Sequence, residues 1–300
     1  IRFIAGQENN RMEAPPTSLP LKQSSQSNAE IAIALAPMWL ALTWLVWKTQ
    51  WFWSHNPEMA YGWMVLFLSV FLIWDQWKHL PSPVYKLRWP FYFFALAGSA
   101  MLFLVQIYQA TYGTMAALIS GLAIGVLSIC AANLHFMFGW RGIRFFAFPL
   151  LFLLIALPLP SVVYNLVVGG LQSKVTACNV EILNLIGIPA QRVGSLIQLP
   201  NGTVGVDEAC SGIRSLQSTI MATLFIGYMT LKKRGTQIAL FFSGIAFAFA
   251  GNLIRSLFLC ITANREGVDA VKKVHDSAGW SILIFTAAGV ALLSWLFSKL

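Results

Sequence analysis

From Ile31 onward the chain is a series of long apolar stretches separated by short polar or charged connections. A helix needs roughly 20 mostly apolar residues to cross a bilayer. By that measure the pattern predicts eight membrane helices, at about 31–47, 60–77, 89–108, 114–138, 144–160, 211–231, 236–255 and 276–297. Residues 1–30 differ: they are polar and rich in Pro, Ser and Gln, and read as a flexible cytoplasmic tail. The predicted architecture is an all-α polytopic membrane domain over 31–300.

One interval breaks the pattern. Residues 161–209 mix Gln172, Lys174, Glu181 and Asn184 with periodic apolar residues such as Leu166, Leu171, Val175 and Ile182. That reads as an amphipathic helix on or in the membrane surface. Two short alternating runs then flank Asn201-Gly202, which predicts a two-residue hairpin turn. A small extracytoplasmic cap of helix plus β-hairpin is therefore expected just before residue 210.

Charge orients the spans. With the N-terminus inside, Lys78, Lys86 and Arg88, then Arg141 and Arg144, then Lys232, Lys233 and Arg234, and finally Lys299 all fall inside. Basic residues crowd cytoplasmic loops, so both termini are expected in the cytoplasm and the cap outside. Lys272 and Lys273 run against this assignment, in a longer connection where the rule weakens.

Composition adds exclusions. The chain is 57% hydrophobic and 10% charged, whereas soluble domains carry about 25% charged residues. A net charge of +9 follows from the inner loops, and no basic tract interleaved with aromatics suggests nucleic acid. Four cysteines without a Cys-x-x-Cys pair suggest neither a disulfide framework nor a metal site, and no cofactor is expected.

Three residues carry candidate chemistry. Cys210 opens the sixth predicted span in Asp207-Glu208-Ala209-Cys210-Ser211-Gly212-Ile213-Arg214-Ser215. A helix N-terminus favours a thiolate, and Arg214 at i+4 adds a second positive charge. Asp207 and Glu208 act in the opposite direction where they come close. Arg255 ends the seventh predicted span, with Asn252 one turn earlier on the same face. Taken alone, Arg255 reads equally as a residue snorkelling to the headgroups. His275 opens the last predicted span, where its plain reading is an interfacial residue beside a cap formed by Asp276 or Ser277. His79 and His135 lie toward the inner side, and His55 has no polar motif around it. The sixth and seventh spans are of similar length, so Cys210, Arg255 and His275 return to one membrane boundary. A thiolate can attack a peptide carbonyl, a histidine can protonate the leaving amine, and an arginine can stabilise the oxyanion.

The block Ala209-Cys210-Ser211-Gly212-Ile213-Arg214-Ser215, followed by Asn252-Leu253-Ile254-Arg255 and the His275 segment, resembles the exosortase/archaeosortase family. The resemblance covers most of the chain from about residue 31 and is strongest from Phe148. It implies eight spans, with Cys210 as nucleophile, His275 as acid/base and Arg255 as oxyanion or substrate support. Arg214, Asn252, Ser211 and Glu208 are the supporting candidates. The implied partners are exported proteins with a C-terminal sorting signal (PEP-CTERM-like: short motif, hydrophobic span, basic tail), the bilayer itself, and an exopolysaccharide or cell-envelope acceptor. The implied location is the inner (cytoplasmic) membrane, with the site facing the periplasm or exterior.

Two other readings compete. In one, the chain is a transporter or lipid-handling protein without thiol chemistry, for which Gly169-Gly170 and Asp75 are the features to cite. In the other, Cys178, Cys210 and Cys260 face the oxidising side and form a structural or redox set, while Cys130 is a small apolar residue inside a span.

Overall fold

The structure is a computed structural model that describes residues 28–205 and 212–299. Residues 1–27 of the predicted tail lie outside the described residues. A short helix, α1 (Asn28–Ala34), belongs to a separate unit. The second unit contains α2 (Ala36–His55), α3 (Gly62–Gln76), α4 (Trp89–Tyr112), α5 (Ala116–Phe138) and α6 (Trp140–Phe152). Next come α7 (Ser161–Leu185), the strands β1 (Gln191–Val193), β2 (Leu196–Leu199) and β3 (Gly202–Gly205), and then α8 (Ile213–Thr230), α9 (Arg234–Glu266) and α10 (Val268–Ser298). Each predicted span has its helix, and the chain is an all-α polytopic membrane protein carrying one small sheet.

Among the described residues, five helical stretches are long and apolar enough to cross a membrane: Pro57–His79, Trp89–Tyr112, Ala116–Phe138, Arg234–Glu266 and Ser277–Ser298. The pair Trp140–Ala156 and Ser161–Leu185, bent by 76°, brings the number to six if it forms one broken span. Pro158 and Pro160 lie in that bend, where the missing N–H groups and fixed φ stop the first helix. The helices α2 and α8 are more polar than the five: α2 carries Lys48, Thr49 and Gln50, and α8 carries Arg214, Gln217 and several hydroxyls.

Two regions differ from expectation. The helices α9 and α10 run 33 and 31 residues, so Arg255 and His275 sit inside helices rather than at their ends. Ser277 accordingly bonds Val274 O within α10 at 2.9 Å instead of capping it. The extra turns persist because they have something to pack against. Leu259, Cys260 and Ala263 of α9 are buried with Val175 and Leu183 of α7 and Ile197, Leu199 and Val204 of the sheet. Cys260 is thus a core residue packed between α7, α9 and the sheet. Cys130 is fully buried in α5, as the small-apolar reading expects.

The hairpin also shifts. Leu199 pairs with Gly202, so the two-residue turn is Pro200-Asn201, one position earlier than expected. The Asn201 side chain donates to Asn264 O at 2.5 Å, anchoring the turn on the last turns of α9. β1 adds a third antiparallel strand that the sequence pattern did not predict.

Four basic clusters collect at one end of the bundle. The α3–α4 connection lies along the end of α5, with Lys86 N donating to Phe136 O at 3.1 Å, so Lys86 and Arg88 neighbour Arg141. Gln76 at the end of α3 bonds Tyr228 near the end of α8, which puts Lys78 at the same end as Lys232–Arg234. Thr230 meets Ser294 at 3.0 Å, bringing Lys299 to that end too.

Candidate active site

At the opposite end, the α2–α3 connection and helices α8, α9 and α10 enclose a cleft of about 670 Å³. Its lining includes Arg214, Asn252, Arg255 and His275, four residues predicted from three separate segments. Cys210, Ser211 and Glu208 lie outside the described residues, and Gly212 is the first described residue after them. Gly212 itself lines the cleft.

Arg255 and His275 are in direct contact. Arg255 Nη2 stands 3.1 Å from His275 Nε2 and 3.5 Å from His275 O. A guanidinium has donors only, so the ring contact forms when Nε2 presents its lone pair. Gly279, one turn after His275 in α10, lies against the Arg255 guanidinium. A Cβ there would lie 3.4 Å from Arg255 Nη2, so the guanidinium rests across the glycine.

Asn252 and Gly212 form a second contact. Gly212 has φ +81°, and a Cβ on it would lie 2.5 Å from Asn252 Cγ. The start of α8 therefore rests against the Asn252 side chain, which is 2% exposed. On the far side of this pair, an apolar hollow of about 480 Å³ runs beside Phe249, Ile245 and Phe242 of α9. Asn252 and Arg255 sit three residues apart on α9, so one helix face carries both the Gly212 contact and the His275 contact.

Several contributors were not foreseen from sequence. Glu58, in the α2–α3 connection, lines the cleft, and its Oε2 accepts from Tyr164 Oη of α7 at 2.8 Å. Tyr61, also in the wall, donates to Ile155 O at 2.9 Å. Asn179 of α7 donates to Ser256 Oγ at 2.7 Å, with both side chains buried. Ser256 follows Arg255 directly, so this bond braces α9 beside the site. Residue pairs this far apart in sequence left no local pattern to read.

Arginine facing histidine, a buried asparagine set against the glycine of a Cys-Ser-Gly segment, and the membrane setting agree with the resemblance noted above. The sequence model for the transmembrane exosortase family (Exosortase_EpsH) matches residues 53–293. The chain belongs to that family. Comparisons with curated proteins and with solved structures gave no match. The match runs from the end of α2 into α10 and so takes in every described residue of the cleft lining. Exosortase membership supports, in general terms, a membrane transpeptidase or protease role. His55, the last residue of α2, is not part of this exosortase cleft: it is exposed and stacks on Trp51 at 4.9 Å. His135 is buried near the end of α5, toward the basic end.

Proposed function

We propose that this exosortase is a membrane-embedded cysteine protease or transpeptidase that cuts a C-terminal sorting signal from exported proteins through a thioacyl intermediate. The observation that supports it most is the Arg255–His275 contact at 3.1 Å inside a cleft walled by Gly212. Cys210 lies two residues before Gly212 in sequence, a tether of about 7 Å at full extension. The proposed nucleophile is thus tethered to a residue that lines the same cleft as an acid/base and a cation.

Cys210 Sγ attacks the scissile carbonyl carbon after its proton passes to His275 Nε2. Protonated Nε2 can no longer accept from Arg255, so Nη2 turns to the carbonyl oxygen as that atom gains charge. The C–N bond then breaks, His275 gives its proton to the departing amine, and a thioester to Cys210 remains. Water or an amine attacks the thioester, its proton passes to His275, and Cys210 leaves as thiolate. Arg214 supports the thiolate, and Asn252 supports the segment that carries it. Ser211 and Glu208, which flank Cys210 at short range in sequence, complete the supporting set.

The substrate in this reading is PEP-CTERM-like: a short motif, one hydrophobic span and a basic tail. The partners are such exported proteins, the bilayer, and an exopolysaccharide or envelope acceptor. The chain sits in the cytoplasmic membrane with eight spans, α2–α6 and α8–α10, and both termini inside. The gathering of four basic clusters at one end, with the cleft at the other, supports an extracytoplasmic site.

The test is co-expression with a protein from the same genome that carries such a signal, followed by its size. Processing is expected to be lost in Cys210→Ala, Arg255→Ala and His275→Ala and kept in Cys178→Ala and His55→Ala. Processing that survives Cys210→Ala would remove thiol chemistry and bring the transporter or lipid-handling reading forward.

A further inference from the structure

We propose that the Glu58 carboxylate is the subsite for a primary amine acceptor, held as its ammonium, so that the thioester is resolved by aminolysis rather than by water alone. This rests on the thioacyl reading above. The cleft has two chemically different walls. Arg214, Arg255 and His275 come from α8, α9 and α10, whereas the α2–α3 connection contributes Glu58. A carboxylate in a cleft where an oxyanion develops opposes that charge, because like charges repel. A cationic acceptor changes that balance: the arginine wall repels it and Glu58 attracts it.

Glu58 is also held in a fixed position. It is half-buried, and Tyr164 Oη donates to Oε2 at 2.8 Å, a contact that leaves the charge in place. Its backbone N–H donates to Asn56 Oδ1 at 2.9 Å, which fixes the turn. Tyr61 Oη to Ile155 O at 2.9 Å and, from the end of α2, Trp53 Nε1 to Ala156 O at 2.7 Å tie this region to the 3-10 turn that follows α6. A carboxylate held in the wall of a cleft is a preorganised ammonium site.

The bound ammonium gives one proton through Glu58 to water, and the free amine attacks the thioester carbon. The C–N bond forms, the second proton passes to His275, the C–S bond breaks, and Cys210 leaves as thiolate.

The experiment uses membranes containing the full chain and the co-expressed substrate, with glycinamide as a cationic probe and hydroxylamine as a neutral one. Mass spectrometry reads the ratio of adduct to free acid within each variant, so overall rate cancels. Glu58→Gln keeps an acceptor for Tyr164 but loses the charge, and it is expected to lower the glycinamide ratio about tenfold, the loss of about 1.4 kcal/mol of binding. The hydroxamate ratio should change less than twofold. Tyr164→Phe, which keeps the charge, should retain most of the glycinamide ratio. An unchanged glycinamide ratio in Glu58→Gln, an equal fall for both nucleophiles, or a Tyr164→Phe that matches Glu58→Gln overturns the subsite. Should Glu58→Gln yield no product, Glu58→Asp must restore the adduct, and its failure overturns the proposal. Absence of hydroxamate from the wild type overturns the thioester itself, and the subsite with it.

Discussion

Replacing Gly212 by alanine tests the contact that joins the Cys-Ser-Gly segment to α9. Two costs add. At φ +81° an L-residue is strained, and the new Cβ would lie 2.5, 2.7 and 2.9 Å from Asn252 Cγ, Nδ2 and Cβ. Left-handed backbone costs about 1–2 kcal/mol and overpacking about 1–3 kcal/mol, which places Gly212→Ala near 2–5 kcal/mol less stable. Asn252 cannot swing away freely, because it is 2% exposed inside α9. Relief must therefore come from a shift of the start of α8, which moves the residues before it as well. The assay is unfolding by denaturant in mixed micelles, paired with substrate processing. Gly227→Ala is the control: it lies on the same helix, and its Cβ would make an ordinary 3.5 Å contact to Leu240. That change should be neutral or stabilise by up to about 1 kcal/mol through helix propensity. In the double variant Gly212→Ala/Asn252→Ala the two closest clashes vanish while the backbone strain stays, so a coupling of about 1–3 kcal/mol should return. A Gly212→Ala protein as stable as wild type, or a double variant without coupling, would refute the account of this contact.

Two further outcomes follow from the same geometry. Arg255→Lys keeps a positive charge but loses the planar donor set that reaches both His275 Nε2 and His275 O, so processing should fall by about 10²–10³, the cost of one lost oxyanion donor. Turnover within threefold of wild type would show that charge alone suffices. Asn179→Ala removes the donor to the buried Ser256 hydroxyl beside Arg255 and should cost about 1–3 kcal/mol of stability, measured in the same micelles; Asn179→Leu, which keeps the volume but has no donor, separates loss of the bond from loss of packing.

The parts of this protein legible in its sequence are those governed by one local rule. Apolar length marks the helices, and chain reversal at similar lengths brings Arg214, Asn252, Arg255 and His275 to a common cleft. The basic clusters, read as a membrane rule, turn out to share one end through bonds such as that between Gln76 and Tyr228. Where two rules compete, the reading fails. Arg255 and Ser256 look like the end of a span. The helix nevertheless continues to Glu266 because Leu259, Cys260 and Ala263 gain a covering sheet. A helix end and a membrane boundary are different events, and hydropathy reports only the second.

Glu58 shows a deeper limit. One carboxylate between two apolar helices has no local partner to give it meaning, and the hydroxyl that holds it is 106 residues away. Its electrostatic setting is visible only once Arg214, Arg255 and His275 are known to line the same space. That setting connects fold to chemistry. A carboxylate fixed in place by Tyr164 and an Asn56 turn lowers the free energy of a bound cation and raises that of an oxyanion, so in the proposed reaction it favours a cationic acceptor over a neutral one.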